Sequence, residues 1–193
     1  MKYFIIFGPP GAGKGTQAAP MVQKYNLKHI STGELLRSQI AAGTELGKQA
    51  KALIDAGELV PDVLVEGMIS NTFAANPDVE GFLLDGFPRT LQQAIDLDEM
   101  LESRDESVTG VISLMISDEV IKERIAGRAA VEGRADDANE ETINNRIRTY
   151  HAKTEPLIEF YKYQGKYHEI QSVGTIEEVQ KKVFKLMDTL IKA

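Results

Sequence analysis

The chain of 193 residues has no cysteine, no tryptophan and only three histidines. Without cysteine there is no disulfide framework and no thiolate metal centre, so no structural zinc is expected. His29, His151 and His168 are scattered and show no metal-ligand spacing. No apolar run reaches the roughly 20 residues of a membrane-spanning helix, so no membrane partner is expected. The opening MKYFIIFG is too short for a secretory leader, and a cytoplasmic location is the default expectation. An excess of positive charge is missing as well. With 22 basic against 29 acidic residues, a net charge of −7 argues against a broad nucleic-acid surface. Arginine is unevenly spread: five of the eight (Arg124, Arg128, Arg134, Arg146 and Arg148) fall in one stretch, which leaves room for a local anion site.

What is present suits one domain with a sizeable core: 42% hydrophobic and 26% charged residues. Residues 2–7 (KYFIIF) form an apolar run ended by Gly8-Pro9-Pro10, which reads as a buried strand entering a loop. Further strand-like runs lie at 28–31, 81–85, 108–116 and 166–170. Helical patterns cover 14–25, 33–42, 44–56, 62–75, 90–103, 118–127, 139–163 and 176–191. Strands alternating with helices predict an α/β fold with a mostly parallel sheet. Ser31 and Glu34 have capping-box spacing, and Thr175 precedes an acidic first turn at Glu177 and Glu178. Pro20 lies well inside the first helix, where a kink near Ala19 is expected.

Gly8-Pro9-Pro10-Gly11-Ala12-Gly13-Lys14-Gly15-Thr16 fits the phosphate-loop pattern G-x-x-x-x-G-K, with Gly15 where a hydroxyl residue is usual and Thr16 one place later. Small residues let backbone N–H groups converge on phosphate oxygens at the positive end of a helix. Lys14 can reach the β- and γ-phosphates, and Thr16 can approach the accompanying Mg²⁺. A second segment, Phe82 to Thr90, ends an apolar strand in Asp85, which suits a water-mediated hold on Mg²⁺. Gly86 and Pro88 then turn the chain and hold Arg89 at the carboxyl edge of the sheet, where α/β proteins bind ligands. A third segment sets Thr32 and Arg37 at a helix start; taken alone, capping for Thr32 and a surface ion pair for Arg37 are the favoured readings.

Taken together, GPPGAGKGTQ at 8–17, ISTGELLR at 30–37, GELVPD at 57–62, LLDGFPRTLQQA at 83–94 and GRADDANEET at 133–142 resemble the adenylate kinase family over essentially the whole chain. The resemblance implies a P-loop three-layer α/β/α fold with a five-stranded parallel sheet. Its core would be 1–30, 61–126 and 138–193, with a helical NMP-binding insertion at 31–60 and a short lid at 127–137. It implies reversible, Mg²⁺-dependent transfer of the terminal phosphate of ATP to AMP, giving two ADP, for adenine nucleotide homeostasis and salvage. ATP would meet Gly11, Ala12, Gly13, Lys14, Gly15, Thr16, Arg124, Arg128 and Gly174. AMP would meet Thr32, Arg37, Glu58, Leu59, Val60, Gly86, Phe87, Pro88, Arg89 and Gln93. Arg134 and Arg146 would clamp the phosphates being exchanged and, with Lys14 and Arg89, form the catalytic set.

The resemblance further implies a preference for AMP over UMP or CMP, because related pyrimidine monophosphate kinases generally differ at Thr32 and at the Thr90-Leu91-Gln92-Gln93 continuation. The lid, in a loop that Gly127 and Gly133 bracket, is of the short kind. A monomer resembles the family. Arg148 points away from Arg146 on a helix and reads as a surface residue. The phosphate of AMP, with a second pKa near 6, is largely dianionic at neutral pH and needs no general base. Replacing any histidine by alanine should therefore leave turnover near normal. A GTPase would need an Asn-Lys-x-Asp signature, which is absent from the sequence. A small-metabolite kinase would have no need of the 30–37 and 86–93 segments.

Overall fold

A computed structural model describes residues 1–132, 137 and 139–192. Five strands form one fully parallel sheet in the order β2-β3-β1-β4-β5, where β1 is Lys2–Phe7, β2 Lys28–Ser31, β3 Gly81–Asp85, β4 Val108–Met115 and β5 Tyr167–Gln171. The alternating side chains of β1 divide the core in two. Tyr3, Ile5 and Phe7 join Phe82 and Leu84 against Ile69 and Phe73 of α4 (Asp62–Ala75), Leu97 and Leu101 of α5 (Leu91–Glu102) and Leu157 and Tyr161 of α8 (Leu157–Tyr163). Phe4 and Ile6 join Leu83, Ile112 and Leu114 against Ala18 and Met21 of α1 (Lys14–Tyr25) and Val179, Val183 and Met187 of α9 (Ile176–Leu190). Two helical layers thus enclose the sheet, as the α/β/α expectation requires.

Pro20 sits within α1, which continues as one helix from Lys14 to Tyr25. Ala18 and Met21, both fully buried, bind that segment to the sheet across the position where Pro20 removes a hydrogen bond. Ser31 caps α2 (Thr32–Ala41) by accepting from the Glu34 N–H at 3.4 Å. The full reciprocal box forms at Thr175 and Glu178, at the start of α9.

Two helical expectations are corrected. The helix expected to stop at 127 is α6, Asp118–Glu132, and it passes through Gly127. One glycine costs a helix only about 1 kcal/mol against alanine, and the alanines around it favour continuation. The segment 139–163 is not one helix. It is α7 (Glu140–Thr149), a π-helical turn at Tyr150–Thr154, and α8. Pro156 has no N–H to continue an α-helical ladder, and the Glu155 N–H reaches back to the Tyr150 carbonyl at 2.8 Å, an i to i−5 bond. A separate small cluster, Ile121 and Ile125 against Ile143 and Ile147, joins α6 to α7. Among the described residues no helix is long and apolar enough to cross a membrane.

Candidate functional site

The carboxyl ends of the strands all face one side. Phe7 runs into the glycine loop, Asp85 ends β3 opposite Ser31 of β2, and Gln171 of β5 pairs with Met115 of β4. Strand order reverses around β1, so the crevice above it is where an open α/β sheet takes a ligand. A cavity of about 1020 Å³ opens there. It is lined by Gly11, Gly13, Lys14, Gly15, Thr16, Arg124, Arg128 and Gly174 on one side, and by Thr32, Arg37, Glu58 to Val60, Gly86 to Arg89 and Gln93 on the other, with Asp85 and Arg146 among the lining residues. These lining residues include every sequence-predicted site residue but two. Ala12 is fully buried behind the loop. Arg134 lies outside the described residues, as does most of the second half of the expected lid.

The loop is shaped by backbone that only glycine adopts readily: Gly8, Gly11 and Gly13 have φ of 138°, 77° and 90°. A side chain at Gly8 would also strike the Leu114 carbonyl oxygen of the neighbouring strand. Lys14 folds back over the loop, and its Nζ donates to the carbonyls of Gly8 at 2.8 Å and Pro9 at 3.0 Å. Burial pushes the Lys14 amine down to about 8; Asp85 opposes this, while Arg89, Arg146 and Arg128 add to it. The lysine therefore waits as a poorly solvated cation that gains from an arriving anion.

Asp85 is 9% exposed. Burial works against its charge, yet His29, Lys14 and Arg89 outweigh that and hold its carboxyl below the usual carboxylate range. His29 Nε2 stands 3.6 Å from Asp85 Oδ2. An ionised carboxylate and the Thr16 hydroxyl, both on the cavity wall, form a hard oxygen donor set of the kind that suits Mg²⁺.

On the far side, the Gly86 carbonyl accepts from both Thr32 Oγ1 and Arg89 Nε, each at 2.8 Å. Gly86 has φ of 80°, and a Cβ there would come within 2.8 Å of both of those side chains. The Arg89 carbonyl accepts from Thr154 Oγ1 at 2.8 Å, so the π-helical turn supports the arginine from behind. Arg128 reaches Asp137 through Nε at 2.7 Å and Nη2 at 2.8 Å, and Arg146 bonds the same carboxylate. Both guanidiniums hold the Asp137 carboxyl low against the opposing pull of burial. Asp137 thus keeps two mutually repelling cations together.

Arg124 lines the cavity while its Nη2 donates to the Ser172 carbonyl at 2.8 Å, and Ser172 Oγ donates to the Ala12 carbonyl at 2.8 Å. Ala12 therefore shapes the loop from behind it. The sequence reading missed His29, Asp62, Asp137, Thr154 and Ser172. Asp137 alone carried a signal, an acidic residue amid clustered arginines; the others sit on separate segments that only folding brings to the site.

A family model described as adenylate kinase matches residues 6–166. Among curated proteins, an adenylate kinase of Flavobacterium psychrophilum is 46% identical over 186 residues, covering 96% of this chain and 98% of its own. One from Leptospira biflexa is 48% identical over 96% of this chain and 99% of its own. One from Bacteroides fragilis is 45% identical over 98% of this chain and its own full length. With such similarity along nearly its whole length, on the parallel sheet and glycine loop described above, the chain belongs to the adenylate kinase family.

Proposed function

We propose that this chain is an ATP:AMP phosphotransferase that makes two ADP reversibly, with ATP on the glycine loop and AMP against Thr32, Arg37, Glu58 to Val60, Gly86 to Arg89 and Gln93. The observation that carries the reading is that one cavity is lined by both sets of residues, with Lys14, Arg89, Arg128 and Arg146 sharing it. An acceptor phosphate and a donor phosphate placed in that cavity meet amid four cations. In the transfer, an oxygen of the AMP phosphate forms a bond to the γ-phosphorus of ATP. The bond from that phosphorus to the β-bridging oxygen breaks, and ADP leaves with the electron pair. The attacking phosphate is already dianionic, so alignment and charge neutralisation by Lys14 and the arginines supply the acceleration.

Thr16 and, through water, Asp85 would hold Mg²⁺, which screens the phosphate charges when bound. Arg128 and Arg146 exchange the Asp137 carboxylate for phosphate oxygens, a like-for-like trade of charge-assisted bonds. The insertion at 31–60 carries the AMP side and the lid at 127–137 closes over the ATP side. Arg134 belongs to that lid by resemblance. Closure after AMP arrives keeps water from acting as the acceptor. The test is ADP formation from ATP and Mg²⁺ with AMP, UMP, CMP, GMP or no acceptor. AMP should be strongly preferred; rapid hydrolysis without any acceptor, or equal use of UMP, overturns the reading.

A further inference from the structure

Gln93 is 2% exposed yet lines the AMP side of the cavity, and both ends of its carboxamide are held. The Arg89 backbone N–H donates to Gln93 Oε1 at 2.7 Å. Gln93 Nε2 donates to Asp62 Oδ1, also at 2.7 Å. The other Asp62 oxygen accepts from the Thr90 hydroxyl at 3.0 Å, and that same hydroxyl oxygen caps α5 by accepting the Gln93 N–H at 3.2 Å. Asp62 is the first residue of α4, so one carboxylate ties the start of that helix to the start of α5.

The two partners of the carboxamide have single functions: a backbone N–H only donates, and an ionised carboxylate only accepts. Turning the Gln93 amide over would set two donors face to face at Arg89 and two acceptors face to face at Asp62. The amide is therefore locked in one sense, with one lone pair of Oε1 and one Nε2–H left for a ligand. The N1/C6 edge of a purine is where that lock matters. A 6-aminopurine offers an acceptor at N1 and a donor at C6; a 6-oxopurine offers the reverse. A freely turning carboxamide matches either edge, and a locked one matches only one of them in a given base pose.

We infer that Asp62 is a positioning residue that determines specificity: by locking the Gln93 carboxamide, it makes the acceptor site choose a 6-aminopurine monophosphate over its 6-oxo counterpart. This rests on the placement of AMP at Gln93 under the proposed function. Asp62 touches no reacting atom, and its effect passes wholly through Gln93.

AMP and IMP, which differ only at that edge, are the probes, with kcat and KM measured for each at saturating ATP and Mg²⁺. Asp62→Asn keeps size and shape, but its own amide both donates and accepts, so the clash of two acceptors at this end is gone and the Arg89 N–H alone still favours one sense of Gln93. The ratio of kcat/KM for AMP over IMP should fall at least about tenfold, a fold-change matching loss of one charge-assisted bond. The change should sit mainly in KM, because the phosphate-binding cations are untouched. In a Gln93→Ala background, the same substitution should leave the ratio unchanged, which a merely structural role would not produce.

A folded Asp62→Asn with the parent ratio overturns the inference, while a weakened AMP KM in Gln93→Ala would leave the AMP placement standing. Unchanged AMP kinetics in Gln93→Ala would sink that placement and the inference with it. Asp62→Ser, well tolerated at a helix start, gives the same comparison should the asparagine variant melt too low. Hydrogen exchange of the Gln93 side-chain amide in the native protein decides independently: slow exchange supports the lock, and exchange as fast as a free carboxamide overturns it.

Discussion

Lys14 should make ATP binding fall as pH rises through a range where most lysines are inert. Burial places its amine at about 8 in the ligand-free protein, against an ordinary 10.5. ATP brings negative charge to the amine and restores a high pKa, so binding must take up whatever proton is missing. At pH 7.5 about three-quarters of the molecules carry the proton, and at pH 9 about one-tenth do, which weakens binding about eightfold, or about 1.2 kcal/mol. Arginine stays charged throughout and contributes no slope. Calorimetric titration with ATP in the absence of AMP, repeated in buffers of different protonation heat, reads both numbers. Proton uptake should approach one at pH 9, and Lys14→Met should show neither uptake nor slope. A dissociation constant flat within twofold from pH 7.5 to 9, or an equal slope in Lys14→Met, would refute the reasoning. In folding, the same shift acts as a cost. Below pH 8 the ligand-free fold carries the full penalty of the buried cation, and that penalty is relieved as pH rises from about 8 towards 10.5.

Asp85→Asn removes the carboxylate that supports the Lys14 charge, so the fall in ATP affinity should begin at lower pH. Its kcat/KM should also drop by at least about a hundredfold, as for loss of one preorganised charged group, in a steady-state assay over a Mg²⁺ series. Gly47→Ala should lower the melting temperature without altering KM. A Cβ there would run into the Gln39 carbonyl, where α3 (Glu45–Asp55) crosses α2, and overpacking of this kind costs about 1–3 kcal/mol. His151, bonded to Glu155 at 2.8 Å and Asp118 at 3.1 Å, has its pKa raised by Glu155 first and Asp118 next. Its stabilisation is fully present below the unfolded value near 6.5 and lost as pH rises through the higher folded value. His151→Ala should therefore lose stability at pH 5.5 and match the parent at pH 9. The loss should be under about 1 kcal/mol because the pair is exposed.

The linear pattern was sufficient for whatever depends on neighbours in the chain. An apolar run, four glycines, a lysine and a threonine specify a strand, a loop and a helix start, because backbone conformation and the exposure of backbone N–H groups are local properties. The strand boundaries fell within a residue or two of the pattern for the same reason. Helix ends were less legible. Gly127 looked like a boundary, but one glycine costs a helix only about 1 kcal/mol against alanine, too little to end α6 there. Pro156 stood in plain view, yet whether it would end a helix or set a π-helical turn before it depended on partners such as the Arg89 carbonyl, 65 residues away along the chain.

The glycine loop, the parallel sheet and the segments that line its crevice were thus legible in sequence alone. Tertiary structure decided the charge and orientation of the groups within them. His29 acts on Asp85 only because β2 lies beside β3 with Ser31 opposite Asp85, and Asp62 locks Gln93 only because α4 starts beside α5. The pKa of Lys14 likewise belongs to no segment, since burial and four charged side chains from separate elements set it together. Local conformation is written in short stretches of chain; electrostatics and hydrogen-bond direction act through space, and exist only once distant segments have met.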